Sequence, residues 1–157
     1  MGGSSTDEQR AWMALRTTYV LLHQRMDQQL KRDAGLSHLQ YEILSRLSAA
    51  PERELRMAEL ACAVAGSKSG LTYQIDRLEQ TGSVRRRTCP GDVRAVYAVL
   101  TEEGADRLAR AEPGHGDLVR ELLVDVLTRE QLRAVTEGLE EVNRRMQDSE
   151  DFGGSLG

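Results

Sequence analysis

Aromatic residues are scarce: one Trp, one Phe and four Tyr in 157 positions. Rings and β-branched residues are what strands favour, so a core made of Leu, Val, Ala and Met points to helices rather than a sandwich or barrel. Cysteine is equally sparse. Cys62 and Cys89 cannot form a disulfide framework, and a reducing, cytoplasmic setting is expected. There is no run of about 18 apolar residues, which excludes a helical membrane span. No charged, then apolar, then small-residue leader opens the chain, so no secretory signal is expected. No internal repeat is visible, and the length suits about one domain. The glycine-bearing ends, Met1 to Ser4 and Phe152 to Gly157, read as frayed tails.

The formal net charge of −4 argues superficially against a nucleic-acid partner. The average hides a local reversal. Between Gly66 and Arg94 stand Lys68, Arg77, Arg85, Arg86, Arg87 and Arg94, against only Asp76, Glu79 and Asp92. Salt confines each charge's reach to roughly 8–10 Å, so a basic stripe on an acidic body can still meet phosphates.

Hydrophobic spacing predicts helices along most of the chain. Trp12, Leu15, Tyr19, Leu22, Met26 and Leu30 recur at helical steps behind the caps Ser5 and Thr6, and Gly35 stops that helix. Ser37 and Gln40 form the capping box of a second helix over His38 to Ala49, with Leu39, Ile43, Leu44 and Leu47 inward. A short helix is expected from Met57 to Val64. Another follows the cap Ser67 and ends before Gly82, with Leu71, Ile75 and Leu78 inward and Lys68, Ser69, Thr72, Tyr73 and Arg77 outward. The period then changes to two. Val84 to Thr88 and Arg94 to Leu100 read as a lone hairpin around a Cys89-Pro90-Gly91 turn, with Val96, Ala98 and Leu100 on one face. Thr101 caps a long helix in which Pro113-Gly114 predicts a kink or break. A last helix starts at Thr128. Its stripe of Leu132, Val135, Leu139, Val142 and Met146 calls for a partner.

Two short helices, a tight turn and a basic hairpin form a winged helix-turn-helix. A B-DNA major groove admits one helix, and the first turns of that helix reach base edges. Here those turns are Ser67 to Tyr73, rich in hydroxyls and carrying Lys68. The fold class expected is therefore mainly α with a small β-hairpin wing.

The residues also carry a resemblance. Met57-Ala58-Glu59-Leu60-Ala61, Ser67-Lys68-Ser69-Gly70-Leu71-Thr72, Ile75 to Glu79, Gly82, Val84-Arg85-Arg86, Asp92-Val93-Arg94-Ala95 and Leu100-Thr101-Glu102-Glu103-Gly104 look like the MarR family of bacterial transcription regulators. The strongest element is Asp92-x-Arg94 followed by Leu100-Thr101-x-x-Gly104, and the likeness covers roughly Gly35 to Leu108. It implies a homodimer that reads a pseudo-palindromic operator in double-stranded DNA. It implies a recognition helix from about Ser67 to Thr81, and a wing whose Arg94 enters the minor groove, oriented by Asp92. Three regions follow: a dimerisation helix over 6–34, the winged helix-turn-helix over 35–101, and C-terminal dimerisation helices over 102–148. The apolar stripes of the first and last helices support a dimer independently, because a monomer need not bury either.

The expected DNA contacts are Ser67, Lys68, Ser69, Thr72, Tyr73, Gln74, Arg77, Arg85, Arg86, Arg87, Asp92 and Arg94. Against this, the three consecutive arginines could be a solvated charge run, Asp92 with Arg94 a plain surface ion pair, and Tyr73 half-buried packing. Trp12, Arg16, Tyr19, His23, His38 and Tyr41 could line a small-molecule effector pocket; the resemblance puts such pockets between the dimer helices and the reading head. Dimerisation is assigned to Trp12, Leu15, Leu132, Val135, Leu139, Val142 and Met146. Cys89 is read as a small wing residue rather than a reactive thiol, and Cys62 as core. His23, His38 and His115 are scattered and share no ligand spacing, so no metal or cofactor is expected. No nucleophile triad or phosphate loop is present, which leaves catalysis without a candidate. The reading is a repressor released by a small ligand; the alternative is a winged-helix adaptor that binds protein and no DNA.

Overall fold

A computed structural model describes residues 6–64, 68–89 and 91–153. Among the described residues, six α-helices and three strands follow one another: α1 (Thr6–Ala34), α2 (His38–Ala49), β1 (Glu54–Arg56), α3 (Met57–Ala63), α4 (Lys68–Gln80), β2 (Val84–Cys89), β3 (Asp92–Leu100), α5 (Glu102–Val119) and α6 (Arg129–Gly153). The chain divides into two compact units, one up to Leu118 and one from Val119.

In the first unit, α1 carries Asp7 and Glu8 in its first turn and Lys31 and Arg32 in its last, charges that suit the two ends of the helix dipole. Its expected cap Ser5 lies outside the described residues. Gly35 takes φ +64°, a conformation that favours glycine, and its N–H bonds the Lys31 carbonyl at 3.0 Å. Leu36 then turns inward and is fully buried. The capping box of α2 forms as read: the Gln40 N–H donates to Ser37 Oγ at 3.2 Å and the Ser37 N–H to Gln40 Oε1 at 3.0 Å. Leu30, Leu36, Ile43, Leu44, Leu47, Leu60, Ile75, Leu78 and Leu108 form the apolar centre, with Leu39 partly buried against it.

The hairpin is not alone. The strand order is β1-β3-β2, all antiparallel, with Glu54 opposite Val99 and Arg86 opposite Ala98. Sequence patterning missed β1 because three residues are too few to show alternation. A turn over Pro51–Arg53 delivers it, in which Glu52 and Arg53 both hold positive φ. β3 starts at Asp92, and its inner end is buried on both faces, since Val99 is as buried as Leu100 while Val96 is only half-buried. Cys62 is exposed on α3, a correction to the core position expected from its alanine neighbours. On a helix this short, Leu60 alone is buried and the outer face remains open.

The expected break at Pro113 does not occur. α5 runs as helix through it to Val119. Proline removes one N–H but its φ is helical, and neighbouring packing supplies the rest. Gly114 permits that packing: a Cβ there would stand 2.5 Å from Asp33 Oδ2 and 2.8 Å from Gln29 Nε2 on α1. Gln29, itself buried, donates to the Ala111 carbonyl at 3.2 Å.

In the second unit, Arg120–Val124 forms a π turn, with the Asp125 N–H bonded to the Arg120 carbonyl at 2.9 Å. Thr128 and Gln131 make a capping box: the Gln131 N–H donates to Thr128 Oγ1 and the Thr128 N–H to Gln131 Oε1. α6 follows, with Val135, Leu139, Val142 and Met146 exposed along one stripe.

Candidate nucleic-acid interface

α4 is positioned by its inner face. Leu71, Ile75 and Leu78 are buried, which turns Thr72, Tyr73 and Arg77 outward; Tyr73 is 60% exposed. Ser67 lies outside the described residues, as do the side chains of Lys68 and Ser69 at the start of the helix. Gln74 does not face out fully. Its Oε1 accepts from Gln40 Nε2 at 3.0 Å, which ties α4 to α2.

Across from α4, β2 and β3 extend as a ribbon. An open groove of about 490 Å³ lies between them, lined by Arg56, Thr72, Arg86, Asp92, Arg94 and Val96 among others. Arg94 is exposed and forms no ion pair among the described residues. Asp92 does not hold its guanidinium. The carboxylate instead accepts the Arg94 backbone N–H at 3.0 Å, because a short acidic side chain reaches the amide two residues on more readily than the end of a long arginine. Asp92 therefore fixes the turn that presents Arg94.

The three consecutive arginines have different fates. Arg86 spans back to α4, with Nη1 2.6 Å from Glu79 Oε2 and Nη2 2.6 Å from Asp76 Oδ1. Burial works against its charge, and the hydrogen bonds to Asp76 and Glu79 outweigh that effect and raise its pKa. Arg87 reaches β1, where Nη2 lies 2.5 Å from Glu54 Oε1. That hydrogen bond holds the Glu54 carboxyl below its ordinary range. The same guanidinium stacks 4.6 Å from the Tyr97 ring centre. Only Arg85 is exposed and without an ion pair among the described residues. Sequence reasoning missed Arg56, which ends β1 at the edge of the groove and donates to the Tyr97 hydroxyl at 2.9 Å. Only the unrecognised strand could have located it.

A second cluster lies on α1, α2 and α5. The histidines that seemed scattered are brought together: the rings of His23 and His38 are 5.0 Å apart, and those of His38 and His115 6.3 Å. Tyr19 stands 5.9 Å from His23, and Tyr41 4.5 Å from His115. Three helices converge here, which sequence separation conceals. Burial lowers the His115 pKa, with the neighbouring His38 adding to the effect; burial raises that of Tyr41, with Glu112 adding. Trp12 and Arg16 lie on the exposed stretch of α1 and share no ring contact or ion pair with this cluster among the described residues. Nor is any group of three His, Cys, Asp or Glu side chains among the described residues placed to hold a metal ion.

This architecture recurs in known proteins. The family model described as MarR matches residues 36–96. The crystal structure of Sco3205 from Streptomyces coelicolor, a MarR family transcriptional regulator in complex with DNA, superposes with a TM-score of 0.90 at 40% identity. The match covers 96% of this chain and 94% of that one. This chain belongs to the MarR family. AbsC, a MarR family transcriptional regulator also from Streptomyces coelicolor, gives a TM-score of 0.88 at 33% identity, over 94% of this chain and 99% of that one. The transcriptional repressor MprA of Escherichia coli K12 is 26% identical over 71% of this chain, which spans 61% of that repressor's length. In MarR-family terms, α3 and α4 are the helix-turn-helix and β2–β3 the wing of a transcriptional regulator. No helix among the described residues is long and apolar enough to cross a membrane.

Proposed function

We propose that this DNA-binding transcription regulator acts as a cytoplasmic homodimer on a pseudo-palindromic operator, as a repressor that a small molecule releases. The observation that carries the reading is the exposed face of α4, which bears Thr72, Tyr73 and Arg77, together with the open groove that Thr72 lines with Arg94. A helix fits the major groove, and an arginine on a ribbon fits the adjoining minor groove, where narrow tracts attract it electrostatically. In this reading the exposed Arg85 and Arg77 contact phosphates, while Arg86 and Arg87, tied to their carboxylates, brace the wing. The DNA-bound relative supports this reading. An adaptor that binds no DNA is not favoured.

The dimer is supported by apolar surface left uncovered within each unit. Trp12, Leu15 and Tyr19 are exposed on α1, and Val135, Leu139, Val142 and Met146 on α6. Solvent-facing stripes of this kind mark partner surfaces. The His23–His38–His115 cluster with Tyr41 is proposed as the effector site. Its route to the reading head is short, since Gln40, one residue before Tyr41, bonds Gln74 of α4. Repression is supported by the name of the relative MprA.

The test is selection of duplexes from a random pool by the full chain. The expected product is an inverted repeat whose half-sites are about one helical turn apart. Failure to enrich any sequence over successive rounds refutes the reading.

A further inference from the structure

One side chain joins the two helix ends that matter most to this architecture. Arg107, on α5, directs its guanidinium between the C-terminus of α1 and the C-terminus of α4. Towards α1, Nε and Nη2 donate to the Ala34 carbonyl at 3.2 and 3.1 Å, and Nη2 to the Gly35 carbonyl at 3.0 Å. Towards α4, Nη1 donates to Thr81 Oγ1 at 2.9 Å and to Ser83 Oγ at 2.8 Å. Thr81 passes the link on, since its hydroxyl donates to the Leu78 carbonyl at 3.1 Å in the last turn of α4.

The chemistry of the link is unusual for a cation. Among the described residues no carboxylate pairs with Arg107. Its charge faces the carbonyl end of α1, the negative end of the helix dipole, and two hydroxyls, one of them on the fully buried Ser83. A planar fork is needed. The ammonium of a lysine is a point charge that cannot engage both helix ends at once.

We infer that Arg107 is a positioning residue that sets the pitch of α4 from the frame of α1 and α5, without touching DNA. The inference rests on the reading of α4 as the recognition helix. Base readout depends on the helix's angle in the groove, whereas phosphate attraction tolerates small rotations. Loosening the fork therefore degrades sequence discrimination and leaves general DNA affinity in place.

The test compares full-length wild type, R107K and T81V on a duplex selected by the wild type and on a scrambled duplex, at one fixed salt. Dimer size and melting temperature are recorded for each. R107K keeps the charge and contact with α1 but loses the bridge. T81V keeps the arginine and its bond to Ser83 but removes the Thr81 hydroxyl that carries the link to Leu78, at an exposed position, so it decides the matter even where R107K does not fold. The expected result is a drop of about tenfold in affinity for the selected duplex in both variants, the scale of a coupling residue outside the ligand site, with scrambled-duplex binding within about twofold. Equal losses on both duplexes, or none on either, overturn the positioning role. A wild type that selects no duplex instead removes the recognition-helix reading, and this inference with it.

Discussion

Arg85 and Arg86 are neighbours on one strand with opposite expected phenotypes. Removing the Arg86 side chain breaks two contacts of 2.6 Å and leaves Asp76 and Glu79 facing one another on α4. Charge-assisted hydrogen bonds contribute about 1.5–3 kcal/mol when shielded and exposed pairs about 0.2–1. Arg86 is 27% exposed and its partners 50% and 39%, so the lower range governs. The pair of bonds with the like-charge penalty comes to about 1–2 kcal/mol. For a chain of this size that lowers the melting temperature by about 3–6 °C. Arg85→Ala breaks no ion pair and should stay within about 0.5 kcal/mol of the parent. If Arg85 meets a phosphate in each half-site, its loss reduces the slope of log affinity against log salt by about two per dimer. Thermal melting by circular dichroism and duplex titrations across a salt series separate the two. Should Arg86→Ala melt like the parent while flattening the salt slope as Arg85→Ala does, Arg86 leaves its carboxylates for DNA and the assignment of the brace is wrong.

Other expectations concern the wing, the cluster and the dimer. Arg94→Ala should weaken binding to selected and scrambled duplexes together, while Asp92→Asn, which keeps an acceptor for the Arg94 amide, should bind more like the parent than Asp92→Ala; equal behaviour of the two Asp92 variants in the same titration counts against the turn. His115 titrates below its ordinary value in the folded chain, so the unfolded chain takes up its proton first: stability is full above about pH 6.5 and falls as pH drops from there towards the folded pKa. His115→Phe keeps a ring for Tyr41 and should narrow the difference in melting temperature between pH 7.5 and 5.5; an unchanged difference refutes the linkage. Val135→Glu combined with Leu139→Glu, both at exposed positions, should leave folded monomers at micromolar concentration by sedimentation, and a persistent dimer would place the interface elsewhere.

Local signals made most of the frame legible. Ser37 with Gln40 and Thr128 with Gln131 announced helix starts that the hydrogen bonds bear out, because a capping box is complete within four residues. Gly35 and Gly82 marked stops for the same reason, each at positive φ. What failed to show was long-range. The partners of Arg86 lie seven and ten residues back, on another element. The histidines sit at 23, 38 and 115, and only the packing of three helices makes them neighbours. Arg107 reads as one more charged residue on an exposed helix face until Ala34 and Ser83 are brought to it. Pro113 misled because propensity scores it without the helix that braces Gly114 from outside.

The outer edge of β2 bears on how these molecules avoid one another. A strand at the border of a sheet offers unpaired amides and carbonyls to any similar strand, and two reading heads held side by side on one duplex would bring two such borders into close quarters. Here that border carries Arg85, Arg86 and Arg87 in succession at the rim of a sheet in which only β3 lies between two neighbours. Arg86 and Arg87 are held by their own carboxylates, so among the described residues Arg85 is the unpaired charge that this border would turn towards another strand. A charged border of this kind disfavours strand pairing between copies, so wing-to-wing polymerisation is not the expected route of association.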